Sequence, residues 1–72
     1  MLKYPWLIET IRQFGPLTLK EISGHWENNR NLSEGRPLPR QTFNRWVNAI
    51  ATQLGIEIKC DVHNGYTYYI DN

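Results

Sequence analysis

The hydrophobic pattern of this chain changes period at Gly55, and that change constrains the fold more than any other feature. Before it, Phe43, Val47, Ile50 and Leu54 recur at steps of four, three and four, one stripe of a helix of about 3.6 residues per turn, and Ala51 extends the stripe. Pro39 fits the first helical position, where a missing amide donor costs nothing, and Gly55 fits the left-handed cap just past the end. After Gly55 the apolar residues alternate instead. Ile56, Ile58, Cys60 and Val62 interleave with Glu57, Lys59 and Asp61, the pattern of a half-buried strand. A second strand, 66–70, follows His63-Asn64-Gly65.

The register of these strands follows from which side chains must share a face. A two-residue turn at Asn64-Gly65 would set Cys60 against Tyr69 and Ile58 against Asp71, leaving Tyr68 and Ile70 on the charged side. A three-residue loop with Gly65 in the left-handed bulge sets Val62 against Tyr66, Cys60 against Tyr68 and Ile58 against Ile70. That register segregates apolar from polar, and it is the one expected. Two strands alone are marginal, so the hairpin must lay its apolar face on helices.

The upstream half supplies them. Tyr4, Leu7, Ile8, Ile11 and Phe14 mark the apolar side of a first helix, starting at Pro5 and stopping at Gly15-Pro16. Trp6 lies off that stripe and covers a neighbouring edge of the core or faces a partner. Thr18 with Glu21 three residues on is a capping-box signature opening a second helix, with Leu19, Ile22 and Trp26 facing the core. Gly24 and His25 weaken its propensity, and it fades around Asn28. Residues 29–38 hold Asn, Ser, Gly and Pro without periodicity and read as a loop pinned by Leu32 and Leu38. The expected fold is α+β: one domain spanning 1–72, three helices and a C-terminal two-stranded β-hairpin, the layout of a winged helix-turn-helix with the hairpin as wing.

Size and charge narrow the function. A chain of 72 residues buries only about 60% of the surface it exposes when unfolded, so its core is thin and its outer surface is the easier place to work. Net charge is +1, but residues 29–48 carry Arg30, Arg36, Arg40 and Arg45 against Glu34, a balance of +3, while the remainder carries −2. Arg40, Gln41, Asn44, Arg45 and Asn48 fall on the outer side of helix 39–54, and such side chains fork hydrogen bonds to base edges or reach phosphates. Polar residues also line the outside of any surface helix. This one, however, lacks Glu, Asp and Lys entirely, where an ordinary solvated helix is laced with Glu to Lys pairs. Arg30 and Arg36 lie where a phosphate backbone beside the helix would pass, although exposed loop arginines often touch only water. Tyr66 and His63 at the hairpin tip, and Lys59 with Thr67 and Tyr69, are further candidates for groove or backbone contact.

Catalysis and metal binding find little support. Cys60 and His63 point to opposite faces of a strand and cannot cooperate as nucleophile and base or as paired ligands. His25 has no second ligand at metal spacing. No cofactor is expected. With one cysteine there is no internal disulfide, no apolar run matches a membrane span, and the first residues, interrupted by Glu9 and Arg12, are unlike a signal peptide. A cytoplasmic protein is the expectation.

The stretches TFNRWVNAIATQLGIEI and CDVHNGYTYYI, with LTLKEIS before them, give the whole chain a resemblance to the amino-terminal winged-helix DNA-binding domain of bacterial WYL-domain transcriptional regulators. The resemblance implies that the helix 39–54 enters the major groove of double-stranded DNA, with Arg40, Gln41, Thr42, Asn44 and Arg45 facing it. It also implies a carboxy-terminal ligand-binding domain beyond the wing, so that this chain is a fragment or a stand-alone reader. Leu38 and Pro39 stand where the family often has a Ser or Thr cap. Trp46 replaces a common acidic residue, and packs laterally against the loop or joins a protein interface. Readers of this type commonly pair as homodimers on half-sites, though no dimerisation element is visible in this sequence. The competing expectation is a protein-interaction module using Trp6, Trp46 and Tyr69 as an exposed aromatic patch, and the exposure of those three residues discriminates the two.

Overall fold

The computed structural model describes residues 3–71. Among them the order is four helices, α1 (Lys3–Phe14), α2 (Leu19–Asn28), α3 (Arg30–Ser33) and α4 (Arg40–Leu54), then strand β1 (Ile58–Asp61), a 3-10 turn over Val62–Asn64, and strand β2 (Thr67–Ile70). The class is α+β, with an antiparallel hairpin following the helices. Lengths and order are compatible with a winged-helix layout.

α1 begins two residues before Pro5, which a first turn tolerates because the amide donors there have no intrahelical partner. Leu7, Ile8 and Ile11 are buried as expected, but Phe14 is half exposed at the helix end and stacks on the His25 ring at 4.6 Å. Gly15 closes the helix, donating its N–H to the Ile11 carbonyl at 2.8 Å. A Cβ there would collide with that same carbonyl oxygen, so only glycine fits. The Thr18–Glu21 capping box is complete: the Glu21 amide donates to Thr18 Oγ1 at 3.2 Å and the Thr18 amide to Glu21 Oε1 at 2.9 Å. Between the two helices Leu17 exchanges a pair of backbone hydrogen bonds with Tyr68, at 3.1 and 2.7 Å, which ties the linker to the hairpin.

The segment 29–38 is not the plain loop its composition suggests. Ser33 turns it into a short helix: its hydroxyl donates to the Asn29 carbonyl (3.0 Å) and accepts from the Gly35 amide (3.0 Å), and Glu34 ends the turn in the left-handed region at φ 56°. Such side-chain bonding makes α3 invisible to hydrophobic periodicity. Leu38 is buried, and its amide donates to Ser23 Oγ at 3.0 Å, so α2 holds the lead-in to α4. Pro39 is accordingly extended (φ −66°, ψ 150°) and serves as the N-cap rather than the first helical residue.

The buried stripe of α4 also differs from the expected one. Phe43 and Ile50 are fully buried, but their third partner is Trp46, 6% exposed, while Leu54 is 50% exposed and Ala51 is exposed. The Trp46 indole accounts for the difference. It packs edge-on against Trp26 at 5.0 Å and Tyr4 at 6.5 Å, continuing a stack in which Trp26 meets Trp6 at 5.1 Å. An indole filling that space outweighs an isobutyl group at the last turn of the helix, where the core has run out. Gly55 takes the left-handed cap at φ 68°, as its position predicts.

In the hairpin, Ile58 pairs with Ile70 and Cys60 with Tyr68, the expected register, and Gly65 is left-handed. The predicted Val62 to Tyr66 pair does not form, because pairing ends at Asp61 and Thr67. The Asp61 carboxylate accepts from the His63 amide at 3.0 Å and coils Val62 into the 3-10 turn, half exposed; Cys60 is exposed as well. The hairpin rests on the helices through buried Ile58, through Ile70 packed on the core, and through Tyr68 edge-on to Phe43 at 4.7 Å. Its tip, at Gly65 and Tyr66, borders a recess shared with the starts of α2 and α4.

Candidate nucleic-acid interface

Burial of Trp46 decides what α4 shows to solvent. At about 100° per residue, a stripe centred on Phe43, Trp46 and Ile50 is turned by about 50° from one centred on Phe43, Val47, Ile50, Ala51 and Leu54. Gln41 and Asn48 thereby come to the middle of the outer face, with Asn44 and Arg45 on either side. All four are exposed, and no carboxylate lies on the helix. This face offers forked donors and acceptors without a like charge to repel a phosphodiester.

The remaining candidates are spread more widely. Arg40 is exposed at the first turn, displaced from the middle of that face toward α2 and the hairpin tip. Thr42, which the resemblance implies faces DNA, is half-buried on the opposite flank, lining a recess with Leu38, Trp26 and Trp46, nearer the core than a base-reading role requires. Arg36 borders that recess; Arg30 is exposed on α3. His63 is exposed at the tip, and Tyr66 is 66% exposed with its backbone left-handed at φ 58°. A non-glycine residue held in that region marks a turn whose geometry is fixed by its surroundings. Lys59 is the exception among the candidates. Its Nζ lies 2.8 Å from Asp71 Oδ2, and the hydrogen bond and charge of that carboxylate raise its pKa above the ordinary lysine value. A lysine already matched by a carboxylate has little to offer a phosphate.

Lys20 is the residue that sequence reasoning missed. It is exposed on the first turn of α2 and lines, together with Arg40, two adjoining recesses, one of which reaches Tyr66 at the hairpin tip. Charge counted along the chain put Lys20 in the acidic remainder; charge in space puts it beside Arg40.

The three residues of the aromatic alternative do not make an exposed patch. Trp46 is buried, and Trp6 and Tyr69 are half-buried. Among the described residues, no three His, Cys, Asp or Glu side chains gather closely enough to hold a metal ion, and no helix is long and apolar enough to cross a membrane. Comparison with family models, with curated proteins and with solved structures found no match.

Proposed function

We propose that this chain reads double-stranded DNA as the winged helix-turn-helix domain of a bacterial, cytoplasmic transcriptional regulator of the WYL type, with α4 in the major groove and the hairpin as wing. The observation that carries the reading is the outer face of α4. Gln41, Asn44, Arg45 and Asn48 are accessible on one side of a helix whose other side is locked in the core, and that side bears no carboxylate. An α-helix enters the major groove as a rod, and base edges there are read by such forked polar side chains. Arg45 and Asn44 take the base-reading role; Arg40, Arg36 and Arg30 take phosphates, where contacts position the protein without reading sequence. No catalytic step belongs to this reading.

Selection of bound duplexes from a random pool tests it. The unaltered chain should enrich a defined motif. Arg45→Ala should cost about 1 to 3 kcal/mol and relax preference at one position, whereas Arg36→Ala should weaken all sequences alike and lower the salt slope by about one. Equal effects of both variants on every sequence would sink the assigned roles.

A further inference from the structure

Lys20 and Arg40 come from different helices, yet they form the shared wall of two adjoining recesses. One recess continues along α2 to Ser23, Gly24 and Glu27; the other opens between the start of α2, the start of α4 and the hairpin tip, where Gly65 and Tyr66 close it. Both cations are exposed, and the one ion pair among the described residues is Lys59 with Asp71. The nearest carboxylate along the chain, Glu21, is occupied by the Thr18 amide and hydroxyl in the capping box. Tyr66, 66% exposed, lines the same recess, and its left-handed backbone follows a left-handed Gly65.

We propose that this second recess, bounded by Lys20, Arg40 and Tyr66, is the seat of one DNA backbone phosphate, and that it locks the hairpin tip and α4 to the same strand. The inference rests on the duplex-binding reading and assigns its main anchoring point. Two cations outside any ion pair, lining the same recess as a tyrosine, suit a phosphodiester: an ammonium and a guanidinium bring charge and donors, and a phenolic O–H is a third donor. Its volume of about 410 Å³ leaves room for the phosphate with several waters, each taking about 30 Å³. Glu27 decides between the two recesses. Glu27 lines the first, and its negative charge disfavours an anion there, which leaves the side toward Tyr66 as the seat. Arg40 is thereby an anchor rather than a base reader, consistent with its displacement from the middle of the outer face of α4.

The test is a salt titration of the 72-residue chain on a mixed-sequence duplex of about 20 base pairs, followed by fluorescence anisotropy, with far-UV circular dichroism to confirm that each variant is folded. Each phosphate contact contributes about 0.9 to the slope of log affinity against log salt. Because the two cations share one phosphate, Lys20→Gln and Arg40→Gln should each lower the slope magnitude by less than about 0.9, and the double variant by about 0.9 in all; a double variant that lowers it by about 1.8 would put them on separate phosphates and overturn the shared seat. Tyr66→Phe should weaken binding several-fold without changing the slope, because it removes a donor and no charge. Glu27→Gln should leave the affinity unchanged or raise it. No salt-dependent binding by the unaltered chain sinks the duplex reading and this seat with it. Binding whose slope and affinity ignore Lys20→Gln, Arg40→Gln and Tyr66→Phe sinks the seat alone.

Discussion

Replacing Trp46 by alanine tests the packing that orients α4. The indole is 6% exposed and touches the rings of Trp26 and Tyr4. Truncating a buried tryptophan costs about 3 to 5 kcal/mol, the lost transfer energy plus the cavity that remains. At about 0.05 to 0.15 kcal/mol per residue, a chain of 72 residues has about 4 to 11 kcal/mol in total. Trp46→Ala therefore removes about a quarter of the stability or more. In urea unfolding followed by far-UV circular dichroism, with a slope of about 1 kcal/mol per M for a domain this small, the midpoint should fall by about 3 to 5 M, or the chain should be unfolded in buffer. Trp46→Phe keeps a ring against Trp26 and should lose about 1 to 3 kcal/mol. A fall below about 1 M for the alanine variant at unchanged slope would mean that Trp46 does not anchor α4 in the core. The buried stripe would then centre on Val47 and Leu54, and Asn44 would swing to the flank of the outer face.

Three further outcomes follow from local geometry. Gly15→Ala drives a methyl group into the Ile11 carbonyl and should lower stability by about 1 to 3 kcal/mol, read as a drop in thermal midpoint; an unchanged midpoint would show that the α1 to α2 junction is looser than described. Thr18→Ala removes the hydroxyl that caps α2 and should cost about 1 kcal/mol, with Glu21→Ala adding less than its own single effect because the two bonds belong to one box. Asp71→Asn removes the cause of the raised Lys59 pKa, so NMR titration of the lysine side chain should show a lower value. Because the folded value lies above the unfolded one, the pair's contribution to stability is fully present below the unfolded lysine pKa and is lost as pH rises through the folded value. The variant should lack that alkaline loss, and it should bind duplex more tightly because the Lys59 charge is set free.

The sequence carried most of the secondary structure because its punctuation is chemical: Thr18 with Glu21, the Gly15-Pro16 break, Gly55 and Gly65 each demand a particular backbone. The hairpin register was legible too, since a slip of one residue would put Ile70 among the charges. α3 was not, because it is held by Ser33 bonding to backbone rather than by an apolar stripe. Periodicity gave α4 a stripe but not its rotation. Summing residues by type treats Trp46 and Leu54 as equals, and only the other two tryptophans, brought from α1 and α2, give the indole its place. The candidate interface was half visible for a similar reason: Gln41, Asn44, Arg45 and Asn48 share one helix, whereas Lys20 joins Arg40 only through folding, and Lys59 meets Asp71 only across the hairpin.

On the proposed reading, the carboxylate-free side of α4, flanked by Lys20 and the hairpin tip, is where a DNA duplex lands. Amide chemical-shift mapping of the isotope-labelled chain during titration with duplex DNA tests it most directly. Shifts should concentrate at residues 41, 44, 45 and 48, with a second group at 20, 40 and 66, and the amides along α1 should stay quiet. Shifts confined to α1 or spread evenly over the surface, with those two groups silent at saturation, would contradict it.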